Sequence, residues 1–315
     1  MNSKRSPIAT VLWGANNIYS VRTADGTIHE HLRIKGKILP DTDEGEYNPL
    51  APGDRVALVQ EEENNYRILR RLERSNVVRR WNRKRRALQA IAANVDGILV
   101  VTSTEHPPYR SGFVDRVLVM AELEEIPAAV VLNKIDRSIT AETERHLAIL
   151  EELGYPVYRT AATDRAGIPE SLRSSTVGKV SVLVGRSGVG KSSLVNHLVP
   201  EANQATGEIS RKYSRGRHTT TLARQVIARE GSARGAIFID TPGVREFDLL
   251  GFEVTEIAAG YREFLPFIPD CRMSGCTHLH EPGCAVLAAR DRGVITPERY
   301  RSYEGLARSI QEETP

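Results

Sequence analysis

The sequence predicts a multidomain α/β protein: a small N-terminal β-barrel of the OB-fold type, a central parallel sheet covered by helices, and a C-terminal helical domain gathered around cysteines. Three observations predict it. Short strand-like runs separated by glycine-containing turns fill the first seventy or so residues. From Ala90 onward, continuous apolar runs alternate with stretches of helical spacing. All three cysteines of the chain fall between Cys271 and Cys284. The expected divisions are 1–72, 73–249 and 250–315.

In the first division Val21-Arg22-Thr23 runs into Ala24-Asp25-Gly26-Thr27, where Asp-Gly is a hairpin turn signal. His31 to Leu39 alternates weakly, Pro52-Gly53-Asp54 turns the chain into Val56-Ala57-Leu58-Val59, and Tyr66-Arg67-Ile68-Leu69 suits one more strand. Short strands with such turns fit a five-stranded OB barrel. Ten Arg or Lys residues against the single acid Glu73 lie between Arg67 and Arg86, with Trp81 among them. A charge run of this kind is either a solvated linker or a phosphate-binding stripe. The abutting barrel and the aromatic favour contact with RNA.

In the second division Gly97 to Val101 and Ala128 to Leu132 read as strands buried on both faces. Phe113 to Glu125 has helical spacing, and Thr140 to Leu153 is a helix ended by Gly154. Strands follow at Pro156–Tyr158, Val180–Val184 and Ala236–Ile239. Alternating strand and helix implies a parallel sheet whose ligands bind beyond the strands' carboxyl ends.

The chemistry-bearing motifs sit at those ends. Gly185-Arg186-Ser187-Gly188-Val189-Gly190-Lys191-Ser192 matches G-x-x-x-x-G-K-[ST] and leads into the helix begun by Ser193. Its backbone N–H groups would cradle phosphates, Lys191 would reach the β- and γ-phosphates, and the Ser192 hydroxyl would ligate Mg²⁺. Asp240-Thr241-Pro242-Gly243 fits the second Mg²⁺ and γ-phosphate element, with Asp240 acting through water and the Gly243 N–H facing the phosphate. Asn133-Lys134-Ile135-Asp136 is the guanine-reading loop of a GTPase, because the Asp136 carboxylate can accept both the N1–H and the exocyclic amine. Thr160-Ala161 is similar to the Ser-Ala element whose backbone contacts guanine O6. The loop Arg215-Gly216-Arg217-His218-Thr219-Thr220-Thr221 would supply a metal-ligating threonine, Thr220. Val244 stands where related GTPases orient water with Gln, so His218 is the candidate for that catalytic role.

The order of these motifs is inverted. The base-reading loop precedes the phosphate loop, whereas a Ras-like domain begins with the phosphate loop. The central division is therefore expected to be a circularly permuted P-loop GTPase domain, a rearrangement made feasible by termini that lie at the surface. A P-loop ATPase is disfavoured by Asp136. A nucleotide-gated RNA-binding switch whose hydrolysis is incidental is the reading from a different class.

Cys271-x4-Cys276-x-His278-x5-Cys284 offers three thiolates and an imidazole, the set of a closed, structural zinc site, with His280 as the competing imidazole. A helix starts at Thr296-Pro297 and runs towards Ala307. Clustered cysteines point to a reducing compartment. The start shows no secretory signal, and no run approaches the roughly 18 apolar residues of a membrane span. The composition, 40% hydrophobic and 26% charged with a net charge of +3, suits a cytoplasmic globular protein, expected to be a monomer.

Taken together, these motifs resemble the ribosome-small-subunit-dependent GTPases, the RsgA/YjeQ family. The resemblance covers essentially the whole chain. It includes Gly14-Ala15-Asn16-Asn17-Ile18-Tyr19, Ile91-Ala92-Ala93-Asn94-Val95-Asp96, the Gly216–Thr221 segment and the cysteine spacing. It implies a GTP-hydrolysing factor in late maturation of the small (30S) ribosomal subunit, which contacts ribosomal RNA and whose GTPase is stimulated by the subunit.

Overall fold

A computed structural model describes residues 6–36, 39, 48–62, 65–82, 86–162, 167–199, 223–231, 233–243, 247, 249 and 251–313. Strands β1 (Ile8–Ala15), β2 (Ile18–Thr23), β3 (Ile28–Leu32), β4 (Arg55–Glu62) and β5 (Asn65–Arg71) form one antiparallel sheet in the order β3-β2-β1-β4-β5. A parallel bridge between Ile34 and Ile68 joins the segment after β3 to β5 and closes the sheet into an OB-type barrel. Asn16 and Asn17, with φ of 50° and 61°, make the β1–β2 turn, a left-handed pair that asparagine tolerates. At the expected Asp25-Gly26 turn, the Asp25 carboxylate accepts from the Thr23 hydroxyl at 2.6 Å and the Thr27 N–H at 3.0 Å. Val11, Val21, Val56, Leu58 and Ile68 fill the interior.

The basic run is not a linker. Its first part is β5, and its second forms β6 (Val77–Asn82), which pairs with β7 (Ala87–Ala93) in a two-stranded hairpin. Several arginines in it are committed to the fold. Arg74 makes a bidentate pair with the buried Asp54 at 2.7 and 2.9 Å, and Arg79 reaches Glu124 at 3.1 Å. Gly53, at φ 94°, marks the seam between barrel and hairpin, since a Cβ there would stand 2.0 Å from the Ala93 carbonyl oxygen.

The central sheet comprises β8 (Gly97–Ser103), β9 (Ala128–Asn133), β10 (Val157–Thr160), β11 (Val180–Val184), β12 (Arg224–Ile227) and β13 (Ile237–Asp240), in the order β10-β9-β8-β11-β13-β12. All neighbours are parallel except β12 and β13. Helices α1 (Ser111–Leu123), α2 (Ala141–Glu152), α3 (Glu170–Thr176) and α4 (Lys191–Leu198) cover the sheet. The Thr140 hydroxyl caps α2 by accepting from Thr143 N–H at 3.2 Å.

C-terminal to the sheet come α5 (Val254–Ala259), a 3-10 turn at Ile268–Asp270, α6 (Ala285–Asp291) and α7 (Pro297–Glu313). These elements do not form a core of their own. Val117, Leu118 and Val119 of α1 share one apolar cluster with Tyr261, Phe264, Tyr300, Tyr303 and Leu306. Each fully buried side chain of this size contributes about 1.5–3 kcal/mol, so the shared cluster binds the C-terminal elements firmly to α1. Gly260 permits the close approach, because a Cβ there would meet Val119 Cγ1 at 2.7 Å. No helix of the described residues is long and apolar enough to cross a membrane.

Candidate functional site

The loop 185–190 joins β11 to α4. Gly188 and Gly190 take φ of 85° and 100°, left-handed conformations that glycine adopts without strain and that a phosphate-cradling loop requires. Gly190 has a second reason to be glycine. A Cβ there would stand 2.2 Å from Asn133 Nδ2, so the base-reading loop and the phosphate loop are packed into contact.

Asn133 binds the two loops together. Its Nδ2 donates to the Val189 carbonyl at 2.9 Å, while its Oδ1 accepts from Thr160 Oγ1 at 3.1 Å and Ala162 N–H at 2.9 Å. The Lys134 ammonium donates to the Gly188 carbonyl at 2.7 Å, to the Glu105 carbonyl at 3.3 Å and to the His106 carbonyl. Asp136 is exposed beyond them, and among the described residues its carboxylate takes no hydrogen bond. The Ala161 N–H is committed to the Gly167 carbonyl at 2.8 Å.

At the phosphate end, Lys191 is buried and donates to the carbonyls of Gly185 and Arg186 at 2.9 and 3.2 Å. Burial pushes its pKa down to about 8, against an opposing pull from Asp240. Asp240 ends β13, and its Oδ2 accepts from the Ser192 hydroxyl at 2.8 Å. Among the described residues its Oδ1 is buried with no partner, and burial raises its pKa despite the Ser192 bond and the Lys191 charge. A buried carboxylate with an orphaned oxygen beside a hydroxyl is an oxygen-donor pair suited to Mg²⁺. Thr241 anchors the same turn to the Leu183 carbonyl at 2.6 Å. Gly243 lies on the phosphate loop, with a Cβ there placed 2.4 Å from Ser187 Cα. The expectations for Thr220, His218, Val244 and the Arg215–Thr221 loop fall outside the described residues.

One contributor was missed in the sequence. Thr104 N–H and Oγ1 bond the carbonyls of Asn133 and Lys134 at 3.3 and 2.9 Å, and the loop after it holds the Lys134 ammonium. Its position at the carboxyl end of β8 was the available signal.

The second cluster lies in the C-terminal elements. The ligand atoms of Cys271, Cys276, His278 and Cys284 all fall within 4.8 Å of one another. Two sulfurs each about 2.3 Å from a tetrahedral ion stand about 3.8 Å apart. The Cys271 and Cys284 sulfurs are separated by 3.9 Å, and His278 Nδ1 is 3.5 and 3.3 Å from them. The set thus fits a metal ion. His280 is exposed and outside the cluster. Glu281 shapes the knuckle by accepting from the N–H groups of Thr277, Leu279 and His280 at 2.7, 3.0 and 3.1 Å and from the Thr277 hydroxyl. Burial raises its pKa, but the bonds from the Thr277 hydroxyl and from the Thr277 and His280 N–H groups outweigh it and bring it down to about 2.

The reversed motif order on a five-parallel-strand, one-antiparallel sheet defines a circularly permuted P-loop GTPase. The RsgA GTPase family profile matches residues 71–250. A relative from Borrelia recurrentis (strain A1), named small ribosomal subunit biogenesis GTPase RsgA, is 41% identical over 294 residues, covering 93% of this chain and 91% of its own. The protein of that name from Chlorobaculum parvum (strain DSM 263 / NCIMB 8327) is 40% identical, covering 99% of this chain and 100% of its own. Among solved structures, YjeQ from Thermotoga maritima superposes with a TM-score of 0.70 at 27% identity, covering 97% of this chain and 98% of that one. This chain belongs to the RsgA GTPase family and is a GTP hydrolase.

Proposed function

We propose that this GTPase acts in late maturation of the small ribosomal subunit, binding ribosomal RNA and hydrolysing GTP faster when docked on the subunit. The single observation that carries this reading is the pairing of a permuted GTPase with a Cys3His cluster built into its α1 face, in a chain whose relatives bear the name small ribosomal subunit biogenesis GTPase. Guanine selectivity is assigned to Asp136, with Asn133 and Lys134 setting the loop. Residues 185–193 and the Gly243 N–H hold the phosphates, Asp240 serves the same site through the metal, and Thr160 and Ala161 close the base side. Ser192 and Thr220 would hold Mg²⁺, with Asp240 acting through water. The metal ion, when bound, neutralises phosphate charge as it develops. His218 is the group proposed to orient the attacking water. The Cys271, Cys276, His278 and Cys284 set is assigned to one structural zinc. The barrel and the exposed arginines of the 67–86 run are assigned to RNA. The protein works as a cytoplasmic monomer in this reading.

The test is GTP turnover with and without purified small subunits, together with co-sedimentation in GDP and in a non-hydrolysable GTP analogue. Stimulation by small but not large subunits is expected. Binding without any acceleration of turnover would overturn the enzymatic part and leave a nucleotide-gated binding module.

A further inference from the structure

A buried ionic cluster between the GTPase elements and the C-terminal elements has no part in the chemistry above. Asp115 of α1, His146 of α2 and Arg299 of α7 are exposed by only 1, 3 and 1%. The Arg299 guanidinium donates through Nη1 to Asp115 Oδ1, and through Nε and Nη2 to the Glu263 carboxylate at 2.6 and 3.3 Å. His146 Nε2 lies 3.1 Å from the same Asp115 oxygen, and its Nδ1 lies 2.6 Å from the Tyr109 hydroxyl. Burial by itself would raise the Asp115 carboxyl, but Arg299 and His146 outweigh it and hold the group anionic. An imidazole that donates to the carboxylate through Nε2 leaves Nδ1 to accept from Tyr109.

Tyr109 ends the loop that grips the nucleotide site. Within that loop the Pro107 carbonyl accepts from Ser103 Oγ at 2.8 Å, the Pro108 carbonyl from Arg186 Nη1 at 3.4 Å, and the carbonyls of Glu105 and His106 from Lys134. On the other side, Tyr300, next to Arg299, donates to the carbonyl of the metal-cluster residue His278 at 2.9 Å. Hydrogen bonds thus join α7 to Tyr109, and the chain itself carries the connection onward, through Tyr300 to the Cys3His cluster and through Pro108 to the phosphate loop. Buried networks of this type are costly to leave half-satisfied, so they hold one arrangement of the elements they join.

We propose that Tyr109, His146 and Asp115, clamped by Arg299, are positioning residues through which the C-terminal elements hold the 104–109 loop, Lys134 and the phosphate loop in place and so set the rate of nucleotide release. The proposal rests on the assignment of those loops as the nucleotide site.

The test is stopped-flow release of a fluorescent GDP analogue from the full chain with its metal supplied. Wild-type binding of the analogue is measured first; if it fails, the nucleotide assignment fails, and the relay with it. Tyr109→Phe deletes only the hydroxyl that reaches His146 and is expected to speed release about two- to tenfold. Arg299→Lys loses the fork to Asp115 and Glu263 and should act in the same direction. Because both act on one network, the double variant is expected to release no faster than the faster single variant. Arg262→Lys breaks a different contact to α1, the pair with Glu122 at 2.8 Å, and should leave the rate within about twofold. Should Arg299→Lys fail to fold, His146→Gln takes its place. A wild-type release rate in folded Tyr109→Phe, factors that multiply in the double variant, or equal acceleration by Arg262→Lys would each overturn the proposal.

Discussion

Burial of Lys191 gives GDP affinity a pH dependence of definite sign. The amine is buried on two backbone carbonyls, and that burial lowers its pKa to about 8 in the free protein. Phosphates are met by the ammonium form, so deprotonation competes with binding. At pH 7 the group is roughly nine-tenths charged and at pH 9 roughly one-tenth, from a pKa of about 8. Affinity should be level below pH 8 and fall about tenfold per unit above it, or about 1.4 kcal/mol per unit. In the complex the phosphate charge raises the pKa, so binding at pH 8 and above takes up a proton. Titration of a fluorescent GDP analogue across roughly pH 6.5 to 9.5 reads the profile. Guanine N1–H also deprotonates in alkaline solution. Lys191→Arg, whose guanidinium stays charged, therefore supplies the reference slope. Calorimetry in two buffers of different ionisation enthalpy counts the proton directly, whether or not the Arg variant binds. A wild-type profile parallel to that of the variant, with no proton uptake, would refute the reasoning.

Three further outcomes are expected. Asp136→Asn should weaken GTP binding by about 1.5–3 kcal/mol, the worth of a charge-assisted hydrogen bond, and shift preference to xanthosine triphosphate; competition binding with the two nucleotides checks it. Freshly prepared, reduced protein should carry one zinc per chain by metal analysis. Chelation should collapse the near-UV circular dichroism of the Tyr261, Phe264 and Tyr303 cluster, because the metal ligands share its core. His218→Ala should remove most of the stimulation by small subunits, about 10²–10⁴-fold if the group orients the attacking water, while leaving GTP and subunit binding nearly intact; stimulated turnover of wild type and variant decides it.

The parallel sheet was legible because its strands are continuous apolar runs bounded by glycine-rich or polar loops. Val180–Val184 is placed to the residue, and Ala128–Asn133 extends its expected run by Asn133 alone. The phosphate loop and the Cys3His spacing were legible because their chemistry is local in sequence. What escaped depends on distant partners. β1 has a weak alternation and gains its character from pairing with β2 and β4. Strand β6 reads as part of a charge run, since Val77 and Val78 are its only buried residues, and Arg74 before it is buried by pairing with Asp54 twenty residues away. The role of Thr104 has only its place at the carboxyl end of a strand to signal it, and the partnership of Asp115 with Arg299, 184 residues apart, has no local signature at all.

The apolar cluster shared by α1 and α7 also bears on when the molecule can be finished. Helix α1 ends at Leu123, and the tyrosines that cover it belong to a helix beginning only at Pro297. During synthesis, at about 5–20 residues per second, some ten to thirty seconds separate the two. Throughout that interval Val117 and Leu118 lack the aromatic lid they have in the completed fold. The same permutation has the base-reading half of the sheet emerge ahead of the phosphate loop. The nascent chain thus presents an unfinished apolar helix face before it has a nucleotide to steady it.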